Sequence, residues 1–273
     1  MIIASKDPSD FQTYGIALTP YTGGINITSV GKPVDFETLQ RRRKTCSASI
    51  PGQFANLGIS AQIHLRIDTQ EYLLLVRQEH KGHSVLKLPS GYIPLQQFSN
   101  PYLTLAQELA EECLLLDGKL FCRSRLNGCA LAIPYSKLDY NDELSMEFIS
   151  EDYNPLQLPQ TKVFVDQRPL EGKPLLYIHK QTCSVQLVYP LRLELPDSET
   201  LSLLHAEEKL NPANQLLEVE LSADLWLARL KQGQQGQITQ LGKLIRGIVV
   251  PMRPPNETRL SEVLAPRQPA VIS

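Results

Sequence analysis

The chain has 273 residues, of which 42% are hydrophobic and 21% charged, and its formal net charge is −2. This composition is typical of a globular protein with a sizeable core, and the small net charge gives no reason to expect nucleic-acid binding. The first residues lack the features of a signal peptide, and no apolar stretch approaches the roughly 18 residues of a membrane span. Five cysteines without a C-x-x-C pair are typical of reduced thiols, so we expect a cytoplasmic protein.

The first clear secondary-structure pattern begins after an N-terminal extension, residues 1–57, which predicts only a few short strands. Ala61–Ile67 alternates apolar and polar residues, and Glu71–Val76 is a β-rich apolar run after a short turn. These two segments predict a hairpin. Val85–Leu88 predicts another strand, which ends at a Pro-Ser-Gly breaker.

The strongest helical pattern covers Tyr102–Leu116. Leucine and alanine recur there at helical spacing, Asn100-Pro101 is a start signal, and Asp117-Gly118 is a stop signal.

The rest of the chain predicts strands and helices in irregular alternation. Strands are expected at Cys129–Ile133, Lys162–Val165, Leu175–His179, Val185–Leu195 and Leu216–Leu221, and helices at Ala223–Lys231 and around Gln240–Ile248. The stretch 134–173 is rich in Asp, Glu, Asn and Pro and is interpreted as an insertion or long loop, and 251–273 as a proline-rich tail. This order favours an α/β fold in which helices flank a mixed sheet.

Three glutamates carry the chemistry of the predicted helix. Glu108, Glu111 and Glu112 are spaced i, i+3 and i+4, so they share one helix face. Carboxylates this close repel one another unless a cation compensates, and Mg²⁺ and Mn²⁺ prefer such oxygen ligands. A solvated acidic face is the simpler alternative, but apolar residues on the opposite face and the preceding glycine loop favour a site.

The segment from Gly91 to Leu115 resembles the Nudix box, whose usual form is G-x5-E-x7-R-E-U-x-E-E-x-G-U. Gly91, Glu108, Leu109, Glu111, Glu112 and Leu115 match it. The segment departs from the box at Gln97, Gln107 and Leu114, which replace its first glutamate, its arginine and its second glycine, and it is two residues longer before Gln107. The flanking sequence is similar to the ADP-ribose and nucleoside-diphosphate-sugar branch over about residues 58–250.

The resemblance implies a Nudix-like domain at 58–250, an α/β/α sandwich that binds Mg²⁺ or Mn²⁺ and cleaves the pyrophosphate bond of a nucleoside diphosphate linked to another group. The three glutamates would be catalytic metal ligands, the Gly91 backbone and the cations Arg77 and Lys87 would contact substrate, and a later glutamate would be the base. The candidates for that base are Glu199, Glu207 and Glu208. A homodimer is also expected of such relatives. The departures leave open a second hypothesis, a degraded module that binds a nucleotide or a protein partner without turnover.

Overall fold

The computed structural model describes residues 2–6, 11–45, 52–80, 83–179, 182–231, 234–255 and 257–264. The described part of the chain is mostly β, with 59% strand and 11% helix. Within these ranges there are two α-helices, α1 (Phe36–Thr45) and α2 (Pro101–Glu112), together with 3-10 turns at Leu95–Gln97 and Glu262–Leu264. The predicted α/β/α sandwich is therefore wrong, because two helices of this length cannot cover both faces of so large a sheet.

Twenty-two strands occur in the described ranges. In chain order they are β1 (Ile2–Lys6), β2 (Gln12–Tyr21), β3 (Gly24–Asp35), β4 (Gln53–Phe54), β5 (Leu57–Ile67), β6 (Gln70–His80), β7 (His83–Lys87), β8 (Ser90–Tyr92), β9 (Leu114–Asp117), β10 (Leu120–Leu126), β11 (Cys129–Ala130), β12 (Tyr140–Ser150), β13 (Lys162–Val165), β14 (Arg168–Pro169), β15 (Leu175–His179), β16 (Ser184–Glu194), β17 (Leu201–Leu210), β18 (Leu217–Ser222), β19 (Leu225–Lys231), β20 (Gln234–Ile245), β21 (Ile248–Pro251) and β22 (Thr258–Leu260).

Seventeen of these strands form one connected mixed sheet, and the other five form a second sheet in the order β14-β13-β3-β2-β4. In the large sheet, β5 runs parallel to β16 and antiparallel to β6 and β8, and β6 continues to β7 and β19. The predicted hairpin of β5 and β6 is confirmed. The second sheet joins the N-terminal segment to the stretch 134–173, because β3 pairs in parallel with β13.

The central strands β5 and β6 of the large sheet are buried on both faces over most of their length. Alternate residues of β6 point into two different apolar clusters, Leu74 and Val76 into one and Leu73 and Leu75 into the other. Ser60, Gln62 and His64, which alternate with apolar residues along β5, are therefore covered as well, and Gln62 is fully buried. The first cluster also contains Leu105 and Leu109, so α2 packs on that face.

The segment Ala223–Lys231 is strand β19 and not a helix. It pairs with β6 on one side and β20 on the other, and Trp226 lies opposite Leu75. Leu225 and Leu227 belong to one cluster and Trp226 to the other, a period of two that suits a strand buried on both faces.

The second predicted helix, around Gln240–Ile248, is also wrong. Strands β20 and β21 form a hairpin there. Its turn residues Arg246 and Gly247 have φ values of 50° and 75°, which is the pattern of a tight hairpin turn.

The stretch 134–173, interpreted as an insertion or long loop, contains β12, β13 and β14. Strand β12 lies between β10 and β16 in the large sheet, so this stretch contributes to the core. In the proline-rich tail, β22 pairs with β7, whereas residues 256 and 265–273 lie outside the described ranges. No helix in the described ranges is long and apolar enough to span a membrane.

Candidate functional site

Helix α2 presents Glu108 and Glu112 beside strand β8. Its apolar face is anchored by Leu105 and Leu109, whose exposed fractions are 1% and 0%. The helix is shorter than predicted and ends at Glu112, because Leu114 and Leu115 enter β9 and pair with β17. Leu115, which matches an aliphatic position of the box, therefore lies in a strand.

Glu108 lies against the backbone of Gly91. A β-carbon added at residue 91 would lie 1.9 Å from Glu108 Oε1, so glycine is needed for this close approach. Burial is the largest cause that raises the pKa of Glu108 well above its usual value, and the charges of Glu112 and Glu111 raise it further. Lys87 and Lys6 act in the opposite direction without reversing the shift.

Glu112 has partners on both carboxylate oxygens. Its Oε2 accepts a hydrogen bond of 3.0 Å from the backbone N–H of Ser90, and its Oε1 lies 4.0 Å from Nε2 of His205 on β17. Burial by itself raises the pKa of this carboxyl, but the nearby His205 and Lys87 side chains and the amide contact outweigh burial and lower it. Two carboxyls one helical turn apart thus have pKa values shifted in opposite directions.

Both carboxylate oxygens of Glu111 are engaged by side chains, those of Lys6 and Gln107. Its Oε2 lies 2.9 Å from Nζ of Lys6 on β1, and its Oε1 accepts a hydrogen bond of 3.0 Å from Gln107. The same Lys6 ammonium also lies 2.9 Å from Oε1 of Glu208 on β17. Although burial alone would lower the pKa of Lys6, the two glutamates outweigh it and raise that pKa.

The two cations predicted to contact substrate, Lys87 and Arg77, differ in whether a carboxylate already engages them. Lys87 donates a hydrogen bond of 3.0 Å to Ser90 Oγ, close enough to Glu108 and Glu112 for its charge to affect both. Arg77 instead forms a two-point contact with Asp224, with Nε–Oδ1 of 3.1 Å and Nη2–Oδ2 of 2.7 Å. Its guanidinium is therefore occupied within the sheet, between β6 and the start of β19.

Of the three predicted bases, Glu208 is linked to Glu111 of α2 by Lys6, whose ammonium contacts both carboxylates. Glu207 forms an ion pair with Lys209 instead, at 3.2 Å. The contacts of Lys6 and His205 were missed by reasoning from the sequence. Both residues are about 90 or more positions from α2, and neither shows a ligand-like spacing that could have signalled them.

Glu108 and Glu112 are two half-buried carboxylates that repel each other, and such oxygens are the ligands that a hard divalent cation prefers. The side chains as they stand, however, do not bring three His, Cys, Asp or Glu residues together as a metal site in the described part of the chain. Glu111 is not free to act as a third ligand, since Lys6 and Gln107 engage its oxygens. A cation could be held by Glu108 and Glu112 first, and by Glu111 after Lys6 has moved.

Comparison of this chain with models of protein families, with curated proteins and with solved structures finds no match.

Proposed function

We propose that this protein uses Mg²⁺ or Mn²⁺ to hydrolyse the pyrophosphate bond of a nucleoside diphosphate linked to another group, as the Nudix-like segment implies. The observation that carries the proposal is the pair Glu108 and Glu112, one helical turn apart beside Ser90 and Gly91 of β8, with pKa values shifted in opposite directions. Carboxyls that destabilise each other in the absence of a cation are stabilised when a divalent cation lies between them.

The residues of the chain have distinct roles in this proposal. Glu108 and Glu112 hold the cation, and Glu111 completes the set. A bound cation supplies Lewis-acid activation of the phosphorus and lowers the pKa of a coordinated water. Lys87 is the cation available to a substrate phosphate, since its ammonium is bonded only to a neutral hydroxyl among its described contacts. Glu208 is the best-positioned proton acceptor among the three predicted bases.

A specific observation favours the second hypothesis, a module that binds a nucleotide or partner without turnover. No three ligands converge in the described residues, and Gln107, in place of the arginine of the box, donates to Glu111. Binding through Glu108, Glu112 and Lys87 does not require the third ligand, whereas hydrolysis in the family scheme uses all three glutamates.

The two hypotheses are separated by an assay of monophosphate release from ADP-ribose, NADH and a nucleoside diphosphate sugar, with Mg²⁺ or Mn²⁺ and with EDTA. The proposal expects metal-dependent release that falls roughly 100-fold or more in Glu112→Gln. The matched control is Glu143→Gln, which changes an exposed glutamate of β12. Metal-dependent thermal stabilisation by these compounds without product supports the binding module instead.

A further inference from the structure

Lys6 places a positive charge between two carboxylates at the edge of the candidate site. Its Nζ lies 2.9 Å from Glu111 Oε2 and 2.9 Å from Glu208 Oε1. Because a divalent cation is also best placed between such oxygens, at about 2.1 Å for Mg²⁺, the ammonium occupies the region where a cation would use Glu111.

The position of Lys6 is fixed by the strand that carries it. Strand β1 pairs with β18 from Ile2 to Lys6, and β18 pairs with β17, which bears Glu208. Ile3, only 3% exposed, packs in an apolar cluster with Leu114, at the start of β9 just beyond α2. Docking of β1 therefore delivers the lysine to the site.

Both oxygens of Glu111 have partners while Lys6 is in place, because Gln107 donates to the other one. The other two glutamates of α2 are held differently, because among the described residues neither Glu108 nor Glu112 forms an ion pair with a lysine. Glu108 lies against the backbone of Gly91, and Glu112 accepts a hydrogen bond from the N–H of Ser90. His205, only 7% exposed, faces Glu112 through Nε2, while its Nδ1 has no hydrogen-bond partner. Lys6 thus withholds one of the three proposed ligands while the other two have no ammonium partner.

We propose that Lys6 is a built-in competitor of the divalent cation, so that the ion pairs of β1 with Glu111 and Glu208 hold the site in a weakly binding form. A cation gains Glu111 as a ligand, and the proposed base Glu208 becomes free, only when the Lys6 ammonium leaves. This inference rests on the proposed function in one respect, that α2 binds a divalent cation.

The test is a titration of the metal-free full chain with Mn²⁺, followed by electron paramagnetic resonance of free Mn²⁺ and by calorimetry. Lys6→Met keeps most of the side-chain stem and removes the charge, and Lys6→Arg keeps the charge. Loss of one positive charge beside a half-buried site is expected to tighten Mn²⁺ binding by about tenfold or more in Lys6→Met. Lys6→Arg should bind Mn²⁺ about as the unaltered protein does.

The chain offers a matched control. Lys209 bridges Glu207 and Glu220 at 3.2 and 3.5 Å, in the same two strands, β17 and β18, but its ion pairs involve no residue of α2. Lys209→Met removes the same net charge and is expected to leave Mn²⁺ affinity unchanged. An equal gain in Lys209→Met would attribute the effect to net charge alone and overturn the inference.

The remaining outcomes distinguish this inference from the proposed function. If the unaltered protein binds Mn²⁺ and Lys6→Met binds it no more tightly, competition by Lys6 is wrong and the proposed function stands. If neither protein binds Mn²⁺, both proposals are wrong. Thermal unfolding of each variant checks the fold, and Lys6→Gln, a second neutral variant, replaces Lys6→Met if that protein does not fold.

Discussion

Gly91 and Glu108 are in such close contact that a β-carbon at residue 91 would lie 1.9 Å from the carboxylate oxygen Oε1. The contact joins strand β8 to the acidic face of α2. The obstructing atoms belong to the end of a flexible side chain and not to the backbone, so the added methyl would displace the carboxylate and leave the fold intact.

Gly91→Ala is therefore expected to impair metal binding more than stability. We expect a loss of stability near the low end of the roughly 1–3 kcal/mol typical of overpacking, and a fall in Mn²⁺ affinity of about tenfold or more. Urea denaturation and Mn²⁺ titration measure the two effects. In a Glu108→Ala background the same substitution should have almost no further effect on Mn²⁺ affinity, because the displaced group is gone. Equal effects in both backgrounds would contradict the proposed contact.

The raised pKa of Glu108 predicts a pH dependence of stability in metal-free protein. The folded state keeps a proton that the unfolded chain releases above the ordinary glutamate pKa of about 4.3. The free energy of unfolding should therefore decline as pH rises above that value, until Glu108 is ionised in the folded state as well. Glu108→Gln should lack this part of the decline, whereas Glu143→Gln should keep it.

Without metal at neutral pH, Glu108→Gln should be more stable than the unaltered protein, and addition of Mn²⁺ should reverse this order. At neutral pH the cation at 100 times its Kd stabilises a protein that binds it by about 2.7 kcal/mol, and Glu108→Gln should gain less. Urea denaturation between pH 4 and pH 8, with EDTA and with Mn²⁺, measures both effects. Parallel pH curves for the unaltered protein and Glu108→Gln would show that this carboxyl has an ordinary pKa.

The ion pair between Arg77 and Asp224 predicts a structural role for this arginine. Their side chains are only 14% and 16% exposed. Arg77→Met leaves a poorly solvated carboxylate with Lys243, at 3.6 Å, as a more distant partner. We expect a loss of roughly 2–4 kcal/mol in the free energy of unfolding, because removing one partner of a buried pair is costly. Unchanged stability together with a tenfold rise in KM would instead favour the phosphate contact that the sequence predicts.

Gly247 distinguishes the hairpin from the helix that the sequence predicts around Gln240–Ile248. Alanine in place of glycine inside a helix stabilises it by up to about 1 kcal/mol. In the hairpin, Gly247 has a φ of 75°, and an added β-carbon would lie 2.9 Å from the backbone oxygen of Glu199. Gly247→Ala should therefore destabilise the protein by about 1–3 kcal/mol. The sign of the change in thermal or urea denaturation decides between the two structures.

The two segments mistaken for helices show why local patterns fail in this fold. Trp226 lies in the continuous apolar run Leu225–Ala228. Such a run has no periodicity that distinguishes a buried strand from a buried helix. Strand β19 forms because β6 and β20 offer backbone partners on both sides. Those partners are distant in the chain, so the information that decides the conformation is not local.

The acidic face of α2 follows from the local sequence. Glu108, Glu111 and Glu112 are separated by less than two helical turns, a start signal opens the helix that carries them, and local spacing alone puts their side chains on one side. The hairpin of β5 and β6 also follows from the local sequence, because a short turn joins its strands. The surroundings of the three glutamates, by contrast, depend on how distant strands pair. Lys6 is 105 residues from Glu111 and 202 from Glu208, and pairing of β1 with β18 and of β18 with β17 brings the three together. Such long-range pairings depend on the burial of whole strand faces, a property of the assembled sheet that no short segment of sequence contains.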